Sequence, residues 1–150
     1  MEKVPSRDGI VYINDSKSTN PSSLEWALNR MKDPAILLCG GRNKGNDFGT
    51  LTELVSRKAK HSFVFGEAAE EMFQAWKNAL PVTVCADMKQ ALQEARQLAK
   101  PGDTILLSPA CASFDQFKNY KDRGQKFKEM VSAGLEAALP LGTKESPIGR

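Results

Sequence analysis

Short unbroken apolar runs alternating with amphipathic stretches predict an α/β fold for this chain: a mostly parallel sheet covered on both faces, with an antiparallel hairpin strand at its N-terminal edge. Three observations carry that expectation. The runs Ala35–Cys39, Ser62–Phe65, Val82–Cys85 and Thr104–Leu107 are apolar along most of their length rather than alternating, as in strands buried on both faces. The segments between them set apolar residues at helical spacing. Strands that alternate with helices pair in parallel through crossovers.

Taken in order, Lys3–Pro5 is a brief extended piece and Arg7-Asp8-Gly9 a turn signal, so Val11–Asn14 completes a hairpin. Asn20-Pro21 supplies an N-cap and a proline at the first helical position, and Leu24, Ala27, Leu28 and Met31 form one helical stripe. Pro34 ends that helix before the strand at Ala35. Thr50-Leu51-Thr52-Glu53 has the spacing of a capping box and predicts a helix carrying Leu51, Leu54 and Val55. His61, just past Arg57, Lys58 and Lys60, is expected to cap that helix's last carbonyls. A helix over 67–79 presents Ala69, Met72, Phe73 and Trp76. Asp87 caps another with Met88, Ala91, Leu92, Ala95 and Leu98, and Pro101-Gly102-Asp103 breaks it. A last helix carries Phe127, Met130, Val131, Leu135 and Ala138. The domain is expected over residues 1–139, with 140–150 a flexible tail.

The chain has 150 residues, enough for one core, with 41% hydrophobic and 26% charged residues. Its 21 basic and 18 acidic residues leave a net charge of +3, too balanced to point to nucleic acid or an anionic membrane. No apolar run approaches a membrane span and the first residues lack a signal-peptide core, so a cytoplasmic setting is expected. Cys39, Cys85 and Cys111 are odd in number, form no CxxC pair and follow apolar runs. They read as buried hydrophobes rather than disulfides or zinc ligands.

In a parallel sheet, ligands bind outside the carboxyl ends of the strands. That rule selects three loops. Asp15–Asn20 packs Asp15, Ser16, Lys17, Ser18, Thr19 and Asn20 before a helix start, where free amides and the dipole suit an anion. Gly40–Phe48 follows a strand with two glycines, then Arg42, Lys44 and Asp47. It is neither a Walker loop nor a dinucleotide fingerprint, and Lys44 could reach a carboxylate or phosphate. The loop from Ser108 to Gly124 begins with small residues, offers the Ser113 hydroxyl, and sets out Phe114, Phe117 and Tyr120 as walls or packing, with packing favoured for Phe117. One histidine allows no Ser/His/Asp set, and no carboxylate pair stands out. The loops can hold an anionic substrate; no catalytic residue is expected.

Together, "NDSKSTN", "GGRNKGNDF" and "LLSPACASFDQFKNYKDRGQKF" resemble the C-terminal domain of the Mur ligases, over roughly residues 1–131. The first and third motifs are most similar to the D-glutamate-adding member. Another Mur ligase or a folylpolyglutamate synthase would be expected to differ at both. The resemblance implies a Rossmann-like three-layer α/β/α sandwich, the third domain of an enzyme whose first binds a UDP-sugar and whose second is the ATPase. It implies that ATP phosphorylates the carboxylate of UDP-MurNAc-L-alanine. The amine of D-glutamate then attacks, and phosphate leaves through a tetrahedral intermediate. Mg²⁺ would be bound mainly by the middle domain.

Carried over residue by residue, the resemblance implies that Thr19, Lys44 and Ser113 hold the D-glutamate carboxylates. Phe114 would wall the pocket and Tyr120 would add a backbone contact. Asp15 would face the nucleotide, and Lys17 the phosphate side. The family commonly has Leu and Phe where this chain has Phe114 and Tyr120. The isolated chain is expected to lack ligase activity and to work only against the middle domain of the same polypeptide, with no nucleic-acid or membrane partner. The rival from a different class is a stand-alone module that binds a nucleotide or another anion.

Overall fold

The computed structural model describes residues 1–43, 45–133 and 144–145. Its seven strands are β1 (Glu2–Val4), β2 (Val11–Asn14), β3 (Ala35–Gly40), β4 (Ala59–Phe65), β5 (Val82–Val84), β6 (Thr104–Leu107) and β7 (Lys144–Glu145). They form one sheet in the order β1-β2-β6-β3-β4-β5-β7. The β2-β6-β3-β4-β5 block is parallel throughout; β1 and β7 pair antiparallel at the two ends. This is the α/β architecture expected, hairpin included. Of residues 140–150, only Lys144 and Glu145 are described, as β7 beside β5.

Among the described residues, five α-helices cover the sheet: α1 (Pro21–Leu28), α2 (Thr52–Lys58), α3 (Ala69–Trp76), α4 (Met88–Leu98) and α5 (Tyr120–Ser132). Each central strand serves two cores, because successive side chains leave a strand on opposite faces. Leu37, Cys39, Val64 and Leu106 join Leu24, Val55, Met72 and Trp76 on one side. Ile36, Leu38, Phe63, Phe65, Ile105 and Leu107 join Met88, Leu92 and Phe127 on the other. Fully burying each large side chain contributes about 1.5–3 kcal/mol.

Asn20 and Asp87 cap α1 and α4 as their sequences predict, accepting from Ser23 N at 3.0 Å and Gln90 N at 2.8 Å. Two expectations are corrected. Thr50 and Glu53 do not form a capping box. A 3-10 turn, Phe48–Leu51, precedes α2, and Asp47 caps it by accepting from Gly49 N at 2.9 Å. Thr50 Oγ1 donates to Asp47 O, while Glu53 pairs with Arg57 one turn on. A tighter turn starting earlier leaves Glu53 inside the helix, too far along to reach back.

His61 is not a helix cap either. The chain extends directly from α2 into β4 at Ala59. That buries His61 in the sheet, Nε2 2.8 Å from Thr83 Oγ1 and its ring stacked on Phe63 at 4.2 Å. Lys58 is the basic residue that finds a carbonyl, Met31 O at 2.7 Å. One further boundary moves: α3 runs from Ala69 to Trp76, shorter than 67–79. Leu135 and Ala138, expected on the last helix, lie outside the described residues.

Candidate functional site

The strand order puts the three loops side by side. Although β6 is the sixth strand in the chain, it inserts between β2 and β3. The loop after β6 therefore emerges between the loops after β2 and β3, at a topological switch point.

The loop after β2 is a tight turn: Asp15 N donates to Leu107 O at 2.7 Å and Ser18 N to Asp15 O at 2.9 Å. The turn leaves Lys17 exposed and Thr19 half-buried. Asp15 is also half-buried and accepts from Ser108 Oγ at 2.8 Å. Burial raises its carboxyl pKa, and the Ser108 hydrogen bond offsets only part of that rise.

The loop after β3 needs its glycines. Gly40 and Gly41 sit at φ of 146° and 134°. A β-carbon on Gly40 would collide with Phe65 O, and one on Gly41 with Ala112 O. That close approach lets Arg42 and Ala112 exchange backbone hydrogen bonds at 2.9 and 3.2 Å, which joins this loop to the one after β6. Lys44 lies outside the described residues.

In the loop after β6, Ala110 adopts φ 61°, a conformation that costs an L-residue about 1–2 kcal/mol. The turn places Cys111, Ala112 and Ser113 under the cleft. Gln116 N and Phe117 N both donate to Ser113 O, at 3.2 and 2.9 Å. Phe117 packs on the core as its sequence suggests, whereas Phe114 stands 56% exposed. The Ser113 residue is only 2% exposed.

A cleft of about 400 Å³ unites Thr19, Ser113, Phe114 and Tyr120, with Asn46 beside them. Asp15 and Lys17 line a neighbouring cleft of about 420 Å³, and Tyr120 belongs to both. The Tyr120 carbonyl accepts the Ser16 hydroxyl at 2.7 Å.

All three cysteines are buried and free. Burial pushes the Cys85 and Cys111 thiols up to about 12 and Cys39 well above its ordinary value, so none is a ready thiolate nucleophile. His61 lies toward the start of β4, whereas the cleft lies beyond the carboxyl ends of the strands. Among the described residues, no group of three or more His, Cys, Asp or Glu could hold a metal ion. Asp15 by itself does not make a magnesium site, so this chain's described residues do not fit Mg²⁺.

The sequence placed Ser16 and Arg123 in two of these loops but gave neither a role. Arg123 is fully buried and reaches the loops after β2 and β6. The signal was present: Arg123, Phe127 and Val131 are spaced by four, so a charge sits in the core-facing stripe of α5.

A mostly parallel sheet covered by helices, with hydroxyls, aromatics and a buried arginine at its switch point, defines a doubly wound α/β domain. The chain belongs to the family described as Mur ligase, glutamate ligase domain, whose model matches residues 1–111. It is 45% identical over 131 residues to the UDP-N-acetylmuramoylalanine–D-glutamate ligase of Chlamydia caviae, covering 87% of this chain and 31% of the relative. The enzyme of the same name from Aquifex aeolicus is 42% identical over 132 residues, covering 87% and 32%. That of Chromohalobacter salexigens is 45% identical over 141 residues, covering 91% and 31%. The chain thus spans about a third of the length of these curated relatives.

Proposed function

We propose that this chain is the D-glutamate-holding domain of an ATP-dependent ligase that joins D-glutamate to UDP-MurNAc-L-alanine in peptidoglycan synthesis. The observation that carries the reading is the cleft gathering Thr19, Ser113 and Phe114 from two loops some ninety residues apart, with Tyr120 from the start of α5, together with the names of the relatives.

In this reading the Thr19 and Ser113 hydroxyls donate to the substrate carboxylates, and Lys44 adds the opposing charge. Phe114 supplies an apolar wall. Because the Tyr120 carbonyl is taken by Ser16, its backbone contact is made by the amide N–H. Asp15 and Lys17, one cleft away, face ATP and its phosphates. The chain's work is positioning: with both carboxylates fixed, the free amine is aimed at the activated carbonyl, which removes much of the entropic barrier to attack. ATP is a substrate of the whole enzyme. Mg²⁺, for which the described residues offer no ligand cluster, belongs to the central ATPase domain of the same polypeptide.

The described residues include no helix long and apolar enough to cross a membrane. The substrates are soluble nucleotides and an amino acid, which places the work in the cytoplasm. The full-length protein should release phosphate from ATP only when UDP-MurNAc-L-alanine and D-glutamate are both present. The isolated 150-residue chain should release none. Incorporation of any other amino acid in preference to D-glutamate would overturn the substrate assignment.

A further inference from the structure

Arg123 lines neither candidate cleft itself, yet it binds the loops beside both. Its Nε donates to Ser16 Oγ at 2.9 Å and its Nη2 to Ser16 O at 2.7 Å. Its Nη1 donates to Cys111 O at 2.9 Å. Ser16 lies between Asp15 and Lys17; Cys111 lies two residues before Ser113. The same Ser16 hydroxyl that accepts from Arg123 donates to Tyr120 O at 2.7 Å, which closes a ring of bonds around the loops after β2 and β6. The geometry is prepared on both sides. A β-carbon on Gly41 would meet Nη1 at 3.3 Å, and one on Gly124 would meet Ser16 Cβ at 3.2 Å.

No carboxylate among the described residues forms an ion pair with Arg123. Burial pulls its pKa down to about 10. Asp115 acts on it only at a distance and offsets part of the burial cost. A buried cation so incompletely compensated is a poor stabilising device, since a neutral side chain of similar volume fills such a site at lower desolvation cost. What a neutral chain lacks is a rigid fork able to hold acceptors on two loops at once.

We propose that Arg123 is a positioning residue that couples the acidic-substrate cleft to the nucleotide-facing cleft, fixing Ser113 and Tyr120 on one side and Asp15 and Lys17 on the other through one guanidinium. This rests on the reading of the site given above and extends it: occupancy of either cleft is felt in the other. The buried positive charge also favours an anionic ligand in either cleft.

The test is Arg123→Lys in the full-length ligase, beside Ser16→Ala and Ser113→Ala. Lysine retains the charge and loses the fork. Arg123→Lys is expected to raise the KM for D-glutamate and the KM for ATP together, each by about tenfold or more, as loss of alignment predicts. These are measured well below its thermal midpoint. Ser16→Ala, a milder change in case the lysine variant folds poorly, should raise both in the same direction. Ser113→Ala should raise the D-glutamate KM alone.

Hydrogen exchange gives a second readout independent of turnover. In Arg123→Lys, peptides covering 15–20 and 111–117 should exchange faster together. Unchanged KM values with only a lowered thermal midpoint would make Arg123 a stability residue and sink the proposal, as would faster exchange in one loop alone. If Ser113→Ala leaves the D-glutamate KM unchanged, the reading of the site fails first and the ligand named here fails with it. If Ser113→Ala raises it and Arg123→Lys raises neither KM, only the Arg123 proposal fails.

Discussion

Arg42 and Arg123 brace the same end of the sheet in opposite ways. Arg42 sits in the loop after β3, half-exposed, its guanidinium paired with Glu67 at 2.9 Å. Its backbone, not its side chain, joins the loop after β6. Arg123 is buried, forms no ion pair among the described residues, and spends its side chain on the loops after β2 and β6. The β3 side is thus held by backbone geometry that only glycine permits, and the β2 side by a buried guanidinium. The two fastenings should fail differently. A backbone collision has no cheap escape, whereas a smaller cation in place of the guanidinium keeps the charge and releases only the loops.

Gly41→Ala is expected to give the largest effect. Its β-carbon would meet Ala112 O and Cys111 Cβ, at a φ that L-residues rarely adopt. A loss of about 3 kcal/mol, read by denaturant unfolding, is expected from strain of this kind. A loss under about 1 kcal/mol would mean that the β3 loop is free to move off the β6 loop. Asn20→Ala comes next. It removes the cap on α1, which anchors the loop after β2, and should cost about 1 kcal/mol.

Arg42→Ala should change stability little, because exposed pairs contribute little and salt screens what they do. A salt titration of the thermal midpoint, run on both proteins, would expose any difference. A large salt-independent loss would show that Arg42 is more like Arg123 than its exposure suggests.

The smallest effect is one of sign. Burial raises the folded-state pKa of Asp15. Its contribution to stability is therefore favourable below its unfolded pKa and is lost as pH rises through the folded value. Asp15→Asn should raise the thermal midpoint slightly at neutral pH, and the gain should vanish in acid. A loss of stability at neutral pH would mean that the Ser108 hydrogen bond outweighs burial.

Much of this molecule was readable beforehand because the relevant physics is local. Thr104–Leu107 is predicted and found as a strand with the same limits, since an apolar run bounded by Pro101-Gly102-Asp103 and Pro109 leaves little choice. Asn20 and Asp87 cap as expected because an N-cap satisfies amides two or three residues away. The failures are cases where two local readings compete. Asp47 supplied a cap that Thr50 also could have supplied. The chain between α2 and β4 turned without a loop, and that carried His61 from a helix end into the sheet.

The three loops at the strand ends were legible for a similar reason: each follows an apolar run, and each holds residue types that suit anions. What the sequence by itself determined was therefore the inventory: which segments are strands and helices, which side chains are available, and that Thr19, Ser113 and Phe114 lie on loops at strand ends. Tyr120, expected in the last of those loops, opens α5 instead, because Asn119 caps the helix there. Only the tertiary structure decided that these loops meet. The insertion of β6 between β2 and β3 depends on how two helical layers share one sheet, and apolar periodicity says nothing about which strand lies beside which. Arg123 belongs to the same class of fact. Along the chain it is a charge in an apolar stripe, and its partners, Ser16 and Cys111, become neighbours only once the sheet has been assembled.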